Sequence, residues 1–426
     1  MVDQASLYRI RFRQAVNRDV DCDAIKKSNV FEDYPYKNYM TTRAAATEPN
    51  HLAASTIVSV EARTITIPLD SPTSFSTRQV FSRDYVVVRI RTQDGHEGQG
   101  FCYGGSRGGC LVASAVQILL APLLIGKSAL NVEGLWQEMY QETLLHGRAG
   151  SVMRAISIVD VALWDRNSRA VGLPLSQYLG GTGKTTVPAY ASGGYYLEGK
   201  TPDMLGQEMA GYVALGFKAV KMKVGRGDLK SEEARIRAVR EAIGDDIILT
   251  LDANNAWHDL PTAIEYMKRY EPSNPYWIEE PFSPDDIENH AELAKRTSVM
   301  VATGEIEAGR WRHKELIEKR AASILQTDAA VCGGITEFRK IAATAASFGV
   351  TMCPHWFHDL HVHLVASTPN AQFVEYFSDD QVLNFRKLVD TQLEFKNGEL
   401  VVPTTPGLGF RFDEAALDQY AAGPWG

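Results

Sequence analysis

The feature that most constrains the fold is a repeat in the second half of the chain, where short apolar segments alternate with amphipathic helical segments. Each pair takes roughly 20 to 30 residues, which is typical of β/α units around a parallel sheet. Eight strands can be drawn, in the segments VPAYAS, AVKMKV, IILTLDA, YWIEE, VMVATGE, SILQTDA, VTMCPHW and QFVEYF. The repeat therefore predicts an α/β fold built as a modified TIM (β/α) barrel.

The sequence before the repeat predicts a second unit. The segments IVSVEARTITIPL, from Ile57, and YVVVRIRTQDGHEGQG, from Tyr85, read as strands, and the second contains a DG turn signal. Helical segments follow from about Cys110 to Leu179. A sheet followed by helices predicts a compact α+β domain in front of the barrel. Residues 1–55 have weak periodicity, and we interpret them as an extension of undefined structure or as a start codon placed too early.

The composition limits the class of protein and its partners. Hydrophobic residues make up 45% of the chain and charged residues 23%, which is ordinary for a soluble enzyme. The formal net charge of −8 argues against a nucleic-acid partner. No run of about 18 apolar residues occurs, so we expect no membrane span. The five cysteines lack CxxC spacing, and the N-terminus lacks the apolar region of a secretory signal, so we expect a cytoplasmic protein with free thiols.

Charged residues recur at the ends of the predicted strands. In AVKMKVG, Lys221 and Lys223 alternate with apolar residues, so a strand would place both ammonium groups on one face. The carboxyl ends of barrel strands face one mouth, where such enzymes have their active sites. We therefore expect the side chains at these ends to form an active site. They are Lys221, Lys223, Asp252, Asn254, Glu279, Glu280, Glu305, Asp328, His355 and Glu375.

Three carboxylates on consecutive strands predict a metal site. Asp252, Glu279 and Glu305 could offer oxygen ligands to one divalent cation. A set of oxygen ligands without Cys or His suits Mg²⁺ better than Zn²⁺. Without a cation, the three groups would repel one another and bind protons. The alternative is that one or two of them are helix N-caps or surface ion-pair partners.

Asp328 and His355, on the next two strands, could form a pair in which the carboxylate orients the imidazole and raises its basicity. The surrounding segment HWFHDLHVH also raises the question of a zinc site. Its spacing is not H-E-x-x-H and no Cys ligand accompanies it, which disfavours zinc. We assign His361 and His363 to the packing of the following helix.

These residues together resemble the enolase superfamily. K-x-K, D-x-N, E-E-P and G-E on successive strands, followed by Asp and His, are similar to the mandelate racemase subgroup, as is AISIVDVALWDRNSRAVGLPLSQYLGG before the barrel. The resemblance extends from about Ile57 to the C-terminus. It implies a capping α+β domain over residues 56–182, a barrel over 183–400, and a C-terminal segment over 401–426 that returns to the cap, with the extension over 1–55 unmatched.

The resemblance also implies roles for the lysines and carboxylates. Asp252, Glu279 and Glu305 match the Mg²⁺ ligands. Lys223 matches the base on one face of the substrate, and Lys221 matches the lysine that contacts the substrate carboxylate and tunes Lys223. Because a lysine beside another cation has a lowered pKa, we expect the pKa of Lys223 to be lowered.

On the opposite face, the resemblance implies that His355 and Asp328 form a catalytic dyad. Glu375 matches the residue that hydrogen-bonds an oxygen of the developing enediolate, and Asn254 matches a substrate contact. A proton beside a carboxylate is weakly acidic, because its removal builds a second negative charge. Mg²⁺ and Lys221 could stabilise that charge.

Two loops of the capping domain are expected to select the substrate, DSPTSFSTRQVFSRD (70–84) and CYGGSRGG (102–109). Their side chains suit hydroxyl groups and a second carboxylate, in contrast to the apolar lining that an aromatic substrate needs. The predicted substrate contacts are Arg78, Arg83, Arg107 and Tyr103. We predict dehydration of a sugar acid to a 2-keto-3-deoxy acid by a homo-oligomer.

Other functions remain as alternatives. A racemase or epimerase of a 2-hydroxy acid would use the same residues, with Lys223 and His355 as bases on opposite faces. A metal-dependent amidohydrolase would need an H-x-H pair on the first barrel strand, which has no His. A glycosidase would use two of the carboxylates but leaves the lysine pair unexplained. A barrel that binds ligands without catalysis is the alternative outside the enzymes.

Overall fold

The computed structural model describes residues 54–426. The predicted N-terminal extension lies outside these residues, except for its last two positions. The described part begins with a three-stranded antiparallel sheet formed by β1 Ile57–Ser74, β2 Gln79–Thr92 and β3 Glu97–Tyr103. The DG signal is confirmed as a turn, because Thr92 N donates to the His96 carbonyl and Gly95 has a φ of 81°.

The prediction of a long loop over 70–84 was wrong in part. After an irregularity between Pro68 and Thr73, β1 resumes its pairing with β2, with Thr73 opposite Val80. Only residues 75–78 form the tip of this hairpin. Polar residues of this segment lie within the paired strands, where Thr73 and Ser74 of β1 and Arg83 and Asp84 of β2 are buried.

Helices complete the N-terminal part, and one of them packs directly on the sheet. Their bounds are α1 Gly109–Ser114, a π-helical turn Ala115–Leu120, α2 Ala121–Leu124, α3 Val132–Glu142, α4 Gly150–Ala170 and α5 Leu175–Tyr178. A Cβ atom at Gly100 of β3 would lie 1.9 Å from the Ile158 carbonyl oxygen of α4. Glycine at this position of the GQG sequence therefore allows β3 and α4 to touch.

All eight predicted barrel strands are present, and they run parallel. Their bounds are β4 Thr186–Ser192, β5 Ala219–Lys223, β6 Ile248–Asp252, β7 Trp277–Glu279, β8 Met300–Thr303, β9 Ile324–Leu325, β10 Thr351–Met352 and β11 Val374–Tyr376. Each strand from β4 to β10 pairs with the next, and β11 pairs with β4. β10 and β11 form no ladder with each other, and Met352 of β10 instead makes an isolated parallel bridge with Ala371, which precedes β11.

Helices lie between the strands in the predicted order. They are α6 Pro202–Ala214, α7 Leu229–Ile243, α8 Leu260–Tyr270, α9 Ile287–Ala294, α10 Gly309–Glu318, α11 Gly334–Ser347 and α12 His358–Ser367, with 3₁₀ turns at Glu271–Ser273 and Phe385–Leu388. Asp228 is the N-cap of α7, because its carboxylate accepts from the amides of Lys230 and Ser231.

The interior of the barrel is filled below the strand ends. Tyr190, Trp277 and Phe373 form a small apolar cluster, in which the Tyr190 ring meets the Trp277 ring edge-on at 5.3 Å. These side chains fill the interior, so the barrel has no open channel at this level. The polar strand ends therefore lie above a solid apolar layer.

The C-terminal residues contact the N-terminal sheet. The hairpin β12 Phe395–Lys396 and β13 Glu399–Val401 pairs with β4, and α13 Glu414–Gln419 follows. Beyond α13, Ala62 N donates to the Gly426 carbonyl at 2.8 Å and Thr66 N donates to the Tyr420 carbonyl at 2.9 Å. The domain limits given in the sequence analysis stay predictions.

Helix α4 holds the loop that precedes α11. The Asp160 carboxylate accepts from Thr336 N at 2.9 Å and from Thr336 Oγ1 at 2.5 Å. Gly333 is fixed on both sides, since its amide donates to Ser157 Oγ at 2.9 Å and its carbonyl accepts from Trp136 Nε1 at 2.7 Å. This loop follows Asp328, so the N-terminal part supports a segment that carries a predicted site residue.

The buried Asp160 predicts a pH-dependent stability. Burial raises the pKa of Asp160 to about 7, against the hydrogen bonds from Thr336. Because the folded state then binds the proton more tightly than the unfolded state, stability falls as the pH rises from about 4 to about 7, by on the order of 3 kcal/mol. Asp160→Asn removes this equilibrium and keeps an oxygen acceptor. The variant's unfolding free energy, relative to wild type, is therefore expected to improve between about pH 5 and pH 8 in urea titrations. A difference that does not change with pH would contradict this assignment.

Among residues 54–426, none of the helices combines the length and the apolar character that crossing a membrane requires. The four cysteines in this part of the chain, Cys102, Cys110, Cys332 and Cys353, are free thiols. Cys22 lies outside the described residues.

Candidate active site

The two lysines of β5 lie inside the protein with carboxylate partners. Lys221 is 1% exposed, and its Nζ lies 2.7 Å from Glu279 Oε1, 2.8 Å from Glu375 Oε1 and 3.4 Å from Asp252 Oδ2. Burial lowers the pKa of Lys221, but the Glu279 and Glu375 carboxylates outweigh burial and raise that pKa well above its usual value. Lys221 is therefore a fixed cation that joins β5, β7 and β11.

Lys223 lies two residues further along β5, closer to the mouth of the barrel. Its Nζ forms an ion pair with Asp252, whose strand β6 is in register with β5, and it lies 5.1 Å from the centre of the Tyr195 ring. The prediction of a lowered pKa was wrong for this structure. Burial lowers the pKa of Lys223 and Lys221 opposes its charge, but the Asp252 carboxylate outweighs both and raises it.

The predicted metal carboxylates are crowded, with Asp252 and Glu279 buried and Glu305 half-buried. Asp252 Oδ1 accepts from Asn254 N at 2.9 Å, and Glu279 Oε2 accepts from Trp277 Nε1 at 3.2 Å. Burial, followed by the charge of Asp252, raises the pKa of Glu279 well above its usual value. Glu305 Oε2 is buried without a hydrogen-bond partner among residues 54–426, and burial and Glu280 raise the pKa of Glu305 to about 7. The site thus holds more negative charge than its lysines compensate.

The same carboxylates do not form a ready-made metal cluster. Among residues 54–426, no group of three or more His, Cys, Asp or Glu side chains is arranged so that it could hold a metal ion as it stands. The oxygens of Asp252 and Glu279 are engaged by Lys223 and Lys221. This finding also gives no support for zinc at HWFHDLHVH. His361 and His363 are buried in α12, where His361 Nε2 accepts from Ala329 N at 3.1 Å.

The predicted dyad is in contact. His355 Nδ1 lies 3.2 Å from Asp328 Oδ2, and His355 Nε2 points toward Glu305, 3.4 Å from Oε1. Asp328 is itself held by Ala330 N, which donates to Oδ1 at 2.7 Å. Burial lowers the pKa of His355, but Glu305 and Asp328 outweigh burial and raise that pKa above its usual value. The ring nitrogen away from Asp328 is therefore the one presented to the site.

Glu375 and Trp356 connect the two sides of the site. Glu375 Oε2 accepts from Trp356 N at 2.8 Å, and its Oε1 pairs with Lys221. Burial raises the pKa of Glu375, but the charge of Lys221 outweighs burial and lowers that pKa to about 2. The Trp356 ring stacks on the His355 ring at 5.4 Å and 19°, with a backbone φ of 59° at Trp356. A residue in this left-handed conformation carries strain that its surroundings must offset.

The hairpin tip of the capping sheet lies over the strand ends. Ser76 Oγ donates to the Ala253 carbonyl at 2.5 Å and to the Asn254 carbonyl at 3.2 Å. Asn254 has a φ of 44°, and its side-chain oxygen is buried without a hydrogen-bond partner among residues 54–426. The Phe75 ring lies 5.9 Å from Lys223 Nζ. The tip therefore covers the side of the site that carries Lys223.

The structure separates the four predicted loop contacts into two groups. Arg83 is buried on β2, and Tyr103 at the end of β3 stacks against Trp356 with ring centres 4.7 Å apart. Arg78 is exposed and lies over the Phe75 ring, and Arg107 is exposed in the loop after β3. Arg83 and Tyr103 thus adjoin the dyad, while Arg78 and Arg107 face outward.

Several residues near the site received no role from the sequence. Glu280 is 1% exposed with both carboxylate oxygens unpartnered within the described part of the chain, and burial, Asp252 and Glu279 raise its pKa to about 8. Gln326 and Thr327, at the end of β9, also have buried polar atoms without partners in residues 54–426. The signal for these three was present, since each lies near the end of a predicted strand segment, YWIEE or SILQTDA.

A cavity of about 230 Å³ opens beside Tyr195, the residue whose ring lies next to Lys223. Tyr195, Ser192 and Val382 are among the residues that line it, together with Phe377. Ser192 ends β4, and its hydroxyl has no hydrogen-bond partner in the described part of the chain. The cavity offers a small polar ligand room at the end of β4.

Comparison with known proteins gives matches along both parts of the structure. Residues 53–180 match the family described as mandelate racemase / muconate lactonizing enzyme, N-terminal domain, and residues 204–416 match the family described as enolase C-terminal domain-like. The arabinonate dehydratase of Saccharolobus solfataricus is 35% identical over 346 residues, which cover 79% of this chain and 90% of that protein.

Two solved structures extend this comparison. A variant of L-talarate/galactarate dehydratase, liganded with Mg and L-glucarate, superposes with a TM-score of 0.82 at 30% identity, over 90% of this chain and 96% of that one. A racemase from Streptomyces coelicolor with bound magnesium superposes with a TM-score of 0.81 at 32% identity, over 86% of this chain and 100% of that one. The resemblance and the barrel with its capping domain, as predicted from the sequence, are confirmed by these matches.

Proposed function

Since the chain belongs to the mandelate racemase / muconate lactonizing enzyme family of the enolase superfamily, we propose that it is a Mg²⁺-dependent lyase that dehydrates a sugar acid. The product would be a 2-keto-3-deoxy acid. The observation that carries this proposal is the buried set of charges at the strand ends, in which a lysine pair and a His–Asp dyad adjoin the same carboxylates. The names of the arabinonate and the L-talarate/galactarate dehydratases agree with this enzyme class.

The residues present fit a magnesium ion. Asp252, Glu279 and Glu305 would hold it, because they offer oxygen ligands and no nitrogen or sulfur. Glu305 Oε2 lacks a partner among the described residues, and the raised pKa values of Glu279 and Glu305 indicate uncompensated negative charge. When bound, Mg²⁺ supplies Lewis-acid stabilisation of the negative charge that develops on the substrate carboxylate.

The lysines would bind the acid and remove its α-proton. Lys221, held as a cation by Glu279 and Glu375, would attract the substrate carboxylate and stabilise its added charge. We assign Lys223 as the base that takes the proton from C2, because it lies at the end of β5 beside the cavity-lining Tyr195. Burial on a strand fixes both side chains in place before the substrate arrives. Lys223 must be the neutral amine when it takes the proton, a form that is favoured once Asp252 no longer pairs with it.

The dyad would complete the dehydration. Asp328 binds one nitrogen of His355 and so presents the other to the site, where it can donate a proton to the hydroxyl group leaving C3. The C2–H and C3–O bonds break, water leaves, and the resulting enol becomes the 2-keto acid. Glu375 and Asn254 are proposed to contact the substrate oxygens.

A racemase is the second candidate function. The observation in its favour is that β5 and β10 are separated by β11 and β4 on one side of the strand ring, so Lys223 and His355 approach the site from different sides. Two bases on different sides can remove and return a proton on opposite faces. The name of the Streptomyces coelicolor racemase agrees with this alternative. A barrel that only binds ligands would have no use for uncompensated buried carboxylates, which cost stability.

A panel of aldonic and aldaric acids tests the proposal. With Mg²⁺ present, at least one acid is expected to give a 2-keto product, scored with semicarbazide, and to lose activity in EDTA. In parallel, NMR in D₂O should follow exchange of the C2 proton. Exchange or epimerisation without any keto product would overturn dehydration in favour of the racemase. If no acid of the panel shows either exchange or product, the protein that only binds ligands becomes the favoured alternative.

We further propose that the protein acts as a homo-oligomer in the cytoplasm. Exposed apolar side chains on the described surface, including Leu111, Ile118 and Ile125 near α1 and α2, would suit contact with a second copy. Light scattering coupled to gel filtration measures the mass, and a monomer at micromolar concentration would contradict this proposal.

A further inference from the structure

Arg83 is a buried cation without a counter-ion among residues 54–426. Its side chain lies on β2, the residue is 2% exposed, and Nε donates to the Val382 carbonyl at 2.7 Å. The guanidinium carbon lies 4.6 Å from the centre of the Trp356 ring and 5.1 Å from that of Tyr103. Within residues 54–426, these are its polar and ring contacts, and its two terminal nitrogens donate to no acceptor.

The other buried arginines of the described chain have carboxylate partners. Arg89, on the same strand, forms an ion pair with Glu414, and Arg166 forms one with Asp94. A buried charge is costly unless it is paired, so an arginine kept without a partner indicates that the partner is a ligand. The two rings against Arg83 hold the guanidinium flat but do not neutralise it.

Arg83 lies next to both sides of the proposed active site. The Trp356 ring that it covers also stacks on His355. Burial raises the pKa of Tyr195, and the charges of Lys223 and Arg83 both act to lower it, so Arg83 is near the residue beside Lys223. Tyr195 and Val382 line the same cavity. The guanidinium therefore lies near residues that adjoin His355 on one side and Lys223 on the other.

We propose that Arg83 binds a second carboxylate at the far end of the substrate, so that the acid is a sugar dicarboxylic acid. This inference rests on the proposed function. A planar guanidinium with two free terminal nitrogens matches a carboxylate by two parallel hydrogen bonds, with charge compensation. The terminal hydroxymethyl group of an aldonic acid would leave the charge of Arg83 uncompensated. Arg78 and Arg107 are exposed and cannot supply an equivalent buried subsite.

Matched pairs of acids test this assignment in the wild-type enzyme with Mg²⁺. Galactarate and galactonate, or glucarate and gluconate, differ only in whether the terminal carbon is a carboxylate. The kcat/KM ratio of diacid to monoacid is expected to be about 100 or more, because a buried charge pair is lost with the monoacid. Arg83→Met should reduce this ratio about 100-fold, mainly through the KM of the diacid, and Arg83→Lys should reduce it by a smaller factor.

Arg89→Met is the matched control, since it removes a buried arginine from the same strand, away from Trp356, and should leave the ratio unchanged. Thermal unfolding of each variant checks that it is folded. The diacid-to-monoacid ratio of the wild-type enzyme tests the proposal even if a variant does not fold. Monoacids dehydrated as well as diacids, or an Arg83→Met effect equal on both, would overturn the Arg83 subsite alone. Failure of every acid to react would overturn the proposed function and this inference with it.

Discussion

Replacing Lys223 by alanine is expected to reduce kcat for dehydration by about 1,000-fold or more, which is the scale of a lost general base. Lys223 is buried on β5, and the nearby Lys200, which donates to the Tyr195 carbonyl, is engaged in an ion pair with Glu208. Lys221 cannot replace it, because Lys221 is held between Glu279 and Glu375. Steady-state formation of the 2-keto acid is the measurement.

Isotope exchange then separates the base from the acid. In D₂O, Lys223→Ala should stop exchange at C2 together with dehydration. His355→Asn should also lose dehydration, since the leaving hydroxyl has no proton donor, but should retain C2 exchange through Lys223. Lys230→Ala, at an exposed position of α7, is the control for loss of a lysine. Product formation at the wild-type rate in Lys223→Ala would show that another group takes the proton.

Replacing Glu279 by glutamine is expected to weaken Mg²⁺ binding by about 100-fold and to abolish turnover at ordinary Mg²⁺ concentrations. The estimate reflects the loss of one charged oxygen ligand of three in a buried site, worth on the order of 3 kcal/mol. Titration calorimetry with Mg²⁺, without any substrate, measures this directly. The change also frees Lys221 from one partner, but Glu375 remains at 2.8 Å to hold it.

Glu280→Gln is the matched control for Glu279→Gln. Glu280 is the next residue, is equally buried, and makes no ion pair within residues 54–426. Its replacement should weaken Mg²⁺ binding far less than that of Glu279. Equal losses in the two variants would mean that the metal responds to the total charge of the pocket, and the three-carboxylate assignment would then be wrong.

Local patterns predicted the barrel and the composition of its mouth. The alternation in AVKMKVG placed Lys221 and Lys223 on one face, and both side chains are buried at the strand end. Asp328 and His355 were paired because they follow neighbouring strands, and they are in contact. Such inferences succeed because the register of parallel strands brings equivalent positions together. The catalytic and metal roles of these residues stay predictions.

Contacts between distant parts of the chain could not be predicted from the sequence. Nothing near Arg83 indicates that its partners are Tyr103 and Trp356, because the stacking depends on how β2 lies against the loop after β10. The pKa of Lys223 was predicted with the wrong sign, since the repulsion from Lys221 was visible in K-x-K whereas the contact with Asp252 depends on the register of β5 and β6.

The position of Lys221 has a consequence for how the chain acquires activity. Its counter-ions come from β7 and β11, and Glu375 arrives with the last parallel strand, 154 positions along the chain, which docks on β4. Contacts between such distant residues form late and slowly, because long loops must close first. A chain that has assembled all but β11 already buries an incompletely neutralised ammonium group. Recovery of catalysis after dilution from denaturant therefore reports this final docking event, and should lag behind the recovery of helical circular dichroism.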